Sequence, residues 1–102
     1  REAITDAAGE TTAMPRVSFP QVLQRHVACP PIDVGGNTVR EVLENAFEIY
    51  PAVRSYLLED GGGLRSHVTI FVDGQVVTDR EKLRTSVASG ARMDVLQALS
   101  GG

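Results

Sequence analysis

The sequence predicts an α+β domain, a mixed sheet of four to five strands packed on one main helix. Three observations carry this. A capped amphipathic stretch from Thr38 is the one long helical pattern. Two alternating runs, Val68–Asp73 and Ala91–Leu99, have strand periodicity. An Asp73-Gly74 dipeptide between apolar runs marks a tight hairpin. The chain has 102 residues, enough for one hydrophobic core, and 42% of them are apolar, which suits a folded chain rather than a disordered one.

Residues Arg1 to Ala13 are small, polar and acidic and show no periodicity, so 1–13 is expected to be a disordered leader or a vector-derived extension. The domain proper is expected at 14–102. From Arg16 to Leu23, the residues Val17, Phe19, Val22 and Leu23 suggest a first strand, which Pro20 would confine to an edge or a bulge. Pro30 to Val34 reads as a second, short extended segment, and Gly35-Gly36-Asn37 as the turn after it.

Thr38 and Glu41 have capping-box spacing, with hydroxyl and carboxylate each placed to accept from backbone N–H groups. Val39, Val42, Leu43, Ala46, Phe47 and Tyr50 then recur at three-to-four spacing and make one apolar stripe. Pro51 interrupts this helix. Ala52 to Leu58 is expected to continue it as a second piece, and Glu59 to Gly63 to form a mobile loop.

In the third strand Val68, Ile70 and Val72 face the core and Thr69, Phe71 and Asp73 face away, before the hairpin into Gln75-Val76-Val77. Asp79 to Thr85 is a polar connection around Leu83, Val87 plugs the core, and Ser89-Gly90 turns the chain. In the last strand Met93 and Val95, with Gln97, lie on one face. Arg92, Asp94, Leu96 and Ala98 lie on the other, so Leu96 is an apolar residue on a mostly polar face. Strand, strand, helix and three strands in this order suit the β-grasp, the ubiquitin-like arrangement.

Charge and composition exclude several function classes. Ten Lys and Arg stand against thirteen Asp and Glu, a formal charge of -3, which offers no basic stripe for nucleic acid. Cys29 is the only cysteine, so an internal disulfide and a thiol zinc site are impossible, and a reducing compartment is expected. No apolar stretch has the length of a membrane span and no secretory signal is visible, so the expected place is the cytoplasm, without a membrane partner. Gly61-Gly62-Gly63 and Gly35-Gly36 lack the Lys-Ser or Lys-Thr pair of a P-loop. Cys29 and His26 are three residues apart in an irregular segment, with no orienting acid, and His67 has no second histidine at ligand spacing. No catalytic residue, metal or bound cofactor is expected. Arg80, Glu81, Lys82 and Arg84 read as a solvated connection.

The order of elements around one capped helix, the Val68–Gly74 strand and turn, Gly90 before the last strand and the closing Ser100-Gly101-Gly102 resemble the MoaD/ThiS family of ubiquitin-like sulfur carriers. The resemblance covers roughly Pro15 to Gly102 and is similar in kind to the cysteine-synthesis carrier and the molybdopterin synthase small subunit. It implies a carrier rather than an enzyme: an E1-like adenylyltransferase uses ATP to activate the carboxylate of Gly102, which becomes a thiocarboxylate. A biosynthetic acceptor enzyme then takes the sulfur for a molybdopterin or thiazole precursor or an activated serine. Two terminal glycines also make physical sense, because a carboxylate that threads a narrow channel to a nucleotide is best carried on residues without side chains and with backbone freedom. Gly101 and Gly102 are therefore the expected reactive end, on a flexible tail, and Phe71, Leu96 and Leu99 the expected partner interface of a chain that is monomeric when free. Two other readings use the same features: a protein modifier joined to lysines through Gly102, and a β-grasp interaction module with an inert tail.

Overall fold

The computed structural model describes residues 4–5 and 11–98. In the leader, β1 (Ile4–Thr5) pairs antiparallel with β2 (Thr11–Thr12) in a two-stranded sheet of their own, which adds no strand to the main sheet. The main sheet comprises β3 (Arg16–Ser18), β4 (Ile32–Asp33), β5 (Val68–Val72), β6 (Gln75–Val76) and β7 (Arg92–Gln97), in the order β4-β3-β7-β5-β6. The strands first and last in this sheet by sequence, β3 and β7, run parallel to each other in its middle, and every other neighbouring pair is antiparallel. This is the expected β-grasp arrangement, a mixed sheet of five strands. A parallel pair needs a long crossover, and here everything from β4 to β5, the helices included, lies within it.

The first strand is shorter than the expected Arg16–Leu23. It ends at Ser18, because Pro20 has no N–H to give the ladder. The Pro20 carbonyl instead accepts from Leu23 N at 3.0 Å and opens the helical turn α1 (Gln21–Gln24). Leu23 is sealed in the core, while Val22 faces solvent, as one turn of helix requires.

The main helix, α2 (Val39–Ile49), begins as the capping box predicts. Glu41 N donates to Thr38 Oγ1 at 3.2 Å, and the Glu41 carboxylate accepts from Asn37 N, one residue ahead of the cap, at 2.8 Å. The next two orphan donors are met from the far end of the chain: Val39 N donates to Thr85 O at 2.9 Å and Arg40 N to Leu83 O at 2.8 Å. The connection at 79–85 thus docks on the start of the helix. Gly36 passes so close to that first turn that an added Cβ would lie 2.7 Å from Val42 N, and its φ of +142° disfavours a side chain as well.

Val39, Val42, Leu43, Ala46 and Phe47 of α2 are buried in one core with Val17, Val68, Ile70, Met93 and Val95 of the sheet. Burial of each such side chain contributes about 1.5–3 kcal/mol, which makes this the main source of stability. After Tyr50 a 3-10 turn (Pro51–Val53) and α3 (Arg54–Leu57) form the second helical piece. The Glu59–Gly63 segment, expected to be mobile, is closed by its own bonds: Glu59 N to Gly63 O and Gly62 N to Glu59 O, both 2.8 Å. Leu58 and Leu64 bridge across it.

Asp73 and Gly74 have φ of +50° and +85°, the two positive dihedrals that a two-residue hairpin between right-twisted strands requires, and Val72 pairs with Gln75 across them. In the connection at 79–85 Leu83 is fully buried at φ +58°, a conformation that is strained for leucine. Asp79 holds it there by accepting from Lys82 N at 3.0 Å and Arg84 N at 2.8 Å. The same backbone donors hold the Asp79 carboxyl below its usual range.

Candidate functional site

The alternation of β5 and β7 survives intact, and it sorts the sheet into two faces. Val68, Ile70, Met93 and Val95 point into the core and are fully buried. Residues directly opposite in neighbouring strands share a face, so the pairs Ser18 with Asp94, Asp94 with Phe71 and Phe71 with Val76 define one row across the outer surface. Towards the end of β7 the pair Thr69 and Leu96 makes the next row. Towards its start, Arg16 stands beside Arg92 and opposite Asp33.

Phe71 is half-buried and Leu96 is 49% exposed, and the two line one shallow depression of about 410 Å³ with Gly74, Arg92 and Asp94. The expected interface residues Phe71 and Leu96 therefore come together. Leu99, Gly101 and Gly102 lie outside the described residues. The described chain leads to them directly, since Ala98 N donates to His67 O at 2.8 Å immediately after β7.

Polar groups frame the depression. Asp94 accepts from Ser18 Oγ at 2.8 Å and from Arg92 Nε at 3.2 Å. Arg92 N donates to Asp73 Oδ1 at 2.9 Å, and Asp73 N returns a bond to Arg92 O at 2.8 Å, which ties the hairpin to the start of β7. Arg16 and Asp33 form a two-point ion pair, Nε to Oδ1 at 3.1 Å and Nη2 to Oδ2 at 3.2 Å.

Sequence reasoning missed Val76. It is 52% exposed and sits opposite Phe71, which extends the apolar patch to the sheet edge. The signal was present: a two-residue turn at Asp73-Gly74 pairs 72 with 75 and 71 with 76, which puts Val76 on the face of Phe71.

The other features of the sequence take structural places. Cys29 is fully buried, and burial pushes its thiol up from the ordinary cysteine value. His26 stacks on Tyr56 with ring centroids 6.1 Å apart, and Gln24 Nε2 donates to the Cys29 carbonyl at 2.7 Å. A depression of about 630 Å³ is lined by the Glu59–Ser66 loop together with Arg80, Glu81 and Lys82. Arg80 there reaches the Arg65 carbonyl at 2.7 Å, and Arg40 the Glu81 carbonyl at 3.0 Å, so both arginines brace the loops. Among the described residues no three His, Cys, Asp or Glu side chains come together as a metal ligand set, and no helix is long and apolar enough to cross a membrane.

Comparison with known proteins decides the family. The model of the ThiS family matches residues 31–102, from the second extended segment through the diglycine. The chain belongs to the ThiS family. The MoaD/ThiS resemblance of the sequence is thereby shown, and with it a ubiquitin-like fold. This ThiS-family chain is also similar to a chain of the Amycolatopsis orientalis BexX/CysO complex, at 22% identity over 86% of this chain and 99% of that one, with a TM-score of 0.75. Mycobacterium tuberculosis CysO matches at 25% identity, 83% and 99% coverage and a TM-score of 0.72. The small archaeal modifier protein 1 of Methanosarcina acetivorans matches at 23% identity, 91% and 100% coverage and a TM-score of 0.72. No curated protein matches the chain. These solved relatives share the fold of this chain over most of its length.

Proposed function

We propose that this ThiS-family chain is a sulfur carrier whose Gly102 carboxylate is adenylated and converted to a thiocarboxylate, which donates sulfur in cofactor, cysteine or related biosynthesis. The observation that carries the reading is the ThiS-family match, which runs through Gly101 and Gly102. The geometry of the body supports it. The strand that leads to the tail is the one that carries Leu96 and Asp94 on the outer face, so a partner gripping that face is aligned with the chain end.

The chemistry follows from the weakness of an ionised carboxylate as an electrophile. A carboxylate oxygen of Gly102 attacks the α-phosphorus of ATP and pyrophosphate leaves. Hydrosulfide then attacks the acyl carbon, AMP leaves with that oxygen, and a proton is released, giving the thiocarboxylate. An E1-like adenylyltransferase supplies the nucleotide site and a second, biosynthetic enzyme takes the sulfur, in the cytoplasm. The chain acts as their substrate. In this reading Phe71, Leu96 and Leu99 form the grip for the activating enzyme, and Val76, exposed opposite Phe71, joins them.

The similarity to the small archaeal modifier protein 1 favours a second use of the same end, an amide bond from Gly102 to a lysine of another protein. Intact-mass analysis separates the two. Incubation of the chain with ATP, a sulfide source and the E1-like enzyme of the same cell is expected to exchange one oxygen for sulfur at Gly102, and a variant lacking Gly102 is expected to gain nothing. Lysine-linked adducts without a thiocarboxylate would favour the modifier. An unchanged mass with every candidate activating enzyme, in a folded chain, would overturn both.

A further inference from the structure

An apolar docking patch has no need of a carboxylate at its centre, yet the outer face of the sheet has one. Asp94 stands across the ladder from Phe71 and two residues before Leu96, lines the depression between them, and has a side chain that is 25% exposed. Each of its oxygens accepts one bond from the chain, Oδ1 from Ser18 and Oδ2 from Arg92. A carboxylate accepts about four. A partner that covers Phe71 and Leu96 also strips water from Asp94. Removing water from an ionised group without replacing its hydrogen bonds opposes association more strongly than a few apolar contacts favour it.

Arg92 does not meet this need. Its side chain is 74% exposed and its bond to Asp94 is long, at 3.2 Å, the geometry of a solvent-screened surface pair. The surroundings favour a positive visitor. On this face Arg16 and Arg92 stand against Asp33, Asp73 and Asp94, and the whole chain carries a formal charge of -3.

We infer that the activating enzyme docks on this face with a cationic side chain, an arginine or a lysine, set against Asp94 beside an apolar side chain seated between Phe71 and Leu96. Apolar contact supplies the grip, and the carboxylate selects among partners, because a neutral or acidic face leaves Asp94 covered and unmet. The inference rests on the carrier reading for the identity of the partner.

The test is to titrate the full chain with the E1-like adenylyltransferase of the same cell at low and high salt, and to measure thiocarboxylate formation at limiting enzyme by intact mass. Asp94→Asn keeps an acceptor for Ser18 and removes the charge. It is expected to bind about 10-fold more weakly at low salt and to lose part of the salt dependence. Leu96→Ala is expected to weaken binding with the salt dependence unchanged. Glu59→Gln, which removes a charge in the separate depression at the Glu59–Ser66 loop, is expected to change neither. Arg92→Gln leaves Asp94 with fewer competitors and is expected to bind at least as tightly as the parent.

Asp94→Asn with parental affinity and salt dependence would overturn the inference. So would equal weakening by Asp94→Asn and Arg92→Gln, which would assign the pair a purely structural role. If Asp94→Asn fails to fold, Arg92→Gln decides, and weaker binding overturns the inference. Normal loading of Asp94→Asn followed by failure to pass the sulfur on would move the cation to the acceptor enzyme and also overturn it. Failure of the parent chain to bind or to gain sulfur would bring down the carrier reading and the inference together. A parent that loads alongside an equally loaded Asp94→Asn would bring down the inference alone.

Discussion

On the inner face of β5 and β7, Val68, Ile70, Met93 and Val95 are sealed from water, whereas on the outer face Phe71 is half-buried and Leu96 half exposed. The same two strands and the same ladder serve both faces, so the difference lies in what covers each face. Inner side chains meet α2 within this chain and are accounted for by folding. Outer apolar side chains meet nothing among the described residues that fully covers them, and polar groups are fixed around them: Asp94 by Ser18 and Arg92, and Arg16 by Asp33. If the outer face is the docking surface proposed above, stability and recognition are separable residue by residue along one strand.

The largest expected separation is at Met93. It is fully buried in the central strand β7, opposite Val17 on one side and Val72 on the other. Met93→Ala is expected to lower stability by about 2–5 kcal/mol, through lost transfer energy and the cavity left behind. Denaturant unfolding measures this as a shift of the midpoint. The molecules that remain folded are expected to bind the activating enzyme as the parent does. A matching loss of affinity in the folded fraction would mean that the two faces are not independent.

A smaller effect tests the helix that covers the inner face. Thr38 Oγ1 accepts the Glu41 N–H, and Thr38→Ala is expected to cost about 1 kcal/mol, with the outer face undisturbed. The remaining half of the capping box, Glu41 to Asn37 N, and the bonds from Val39 N and Arg40 N to the 79–85 connection keep this modest. A loss several times larger would mean that the cap fixes the connection as well as the helix.

Local chemistry makes much of this fold legible in the sequence. The capping box, the stripe on α2, the Asp73-Gly74 hairpin and the alternation in β5 and β7 each depend on residues within a few positions of one another, and each stands as expected. The departures depend on distant partners. Arg16–Leu23 contains enough apolar residues for a strand, but α1 follows from Pro20 and from the depth at which Leu23 enters the core. Leu83 is fully buried in a left-handed backbone because Asp79 ties the loop and α2 receives its carbonyls, and no periodicity reveals that. At the candidate site, alternation brought Phe71 and Leu96 together, while Val76 needed the register of the hairpin. Ser18 and Asp94 needed the parallel pairing of β3 with β7, which joins residues 76 positions apart. The role proposed for Gly101 and Gly102 rests on family membership, because two glycines at a chain end carry no pattern of their own.

Leu96 gives the smallest expected change in stability and the sharpest test of the comparison. Its side chain is half exposed in the folded chain, so truncation removes little buried surface, and Leu96→Ala is expected to alter stability by no more than about 0.5 kcal/mol. Thr69 faces it across the ladder, and with about half of Leu96 open to solvent the fold depends little on leucine there. Binding to the activating enzyme is expected to weaken about 10-fold, the scale of an apolar anchor lost from the centre of an interface. Thermal unfolding and titration of the same preparation check both halves. Unchanged unfolding with weakened binding places Leu96 wholly on the recognition side. A large loss of stability would show that the outer face also holds the fold together, and would remove the grounds for reading its exposed apolar residues as a docking surface.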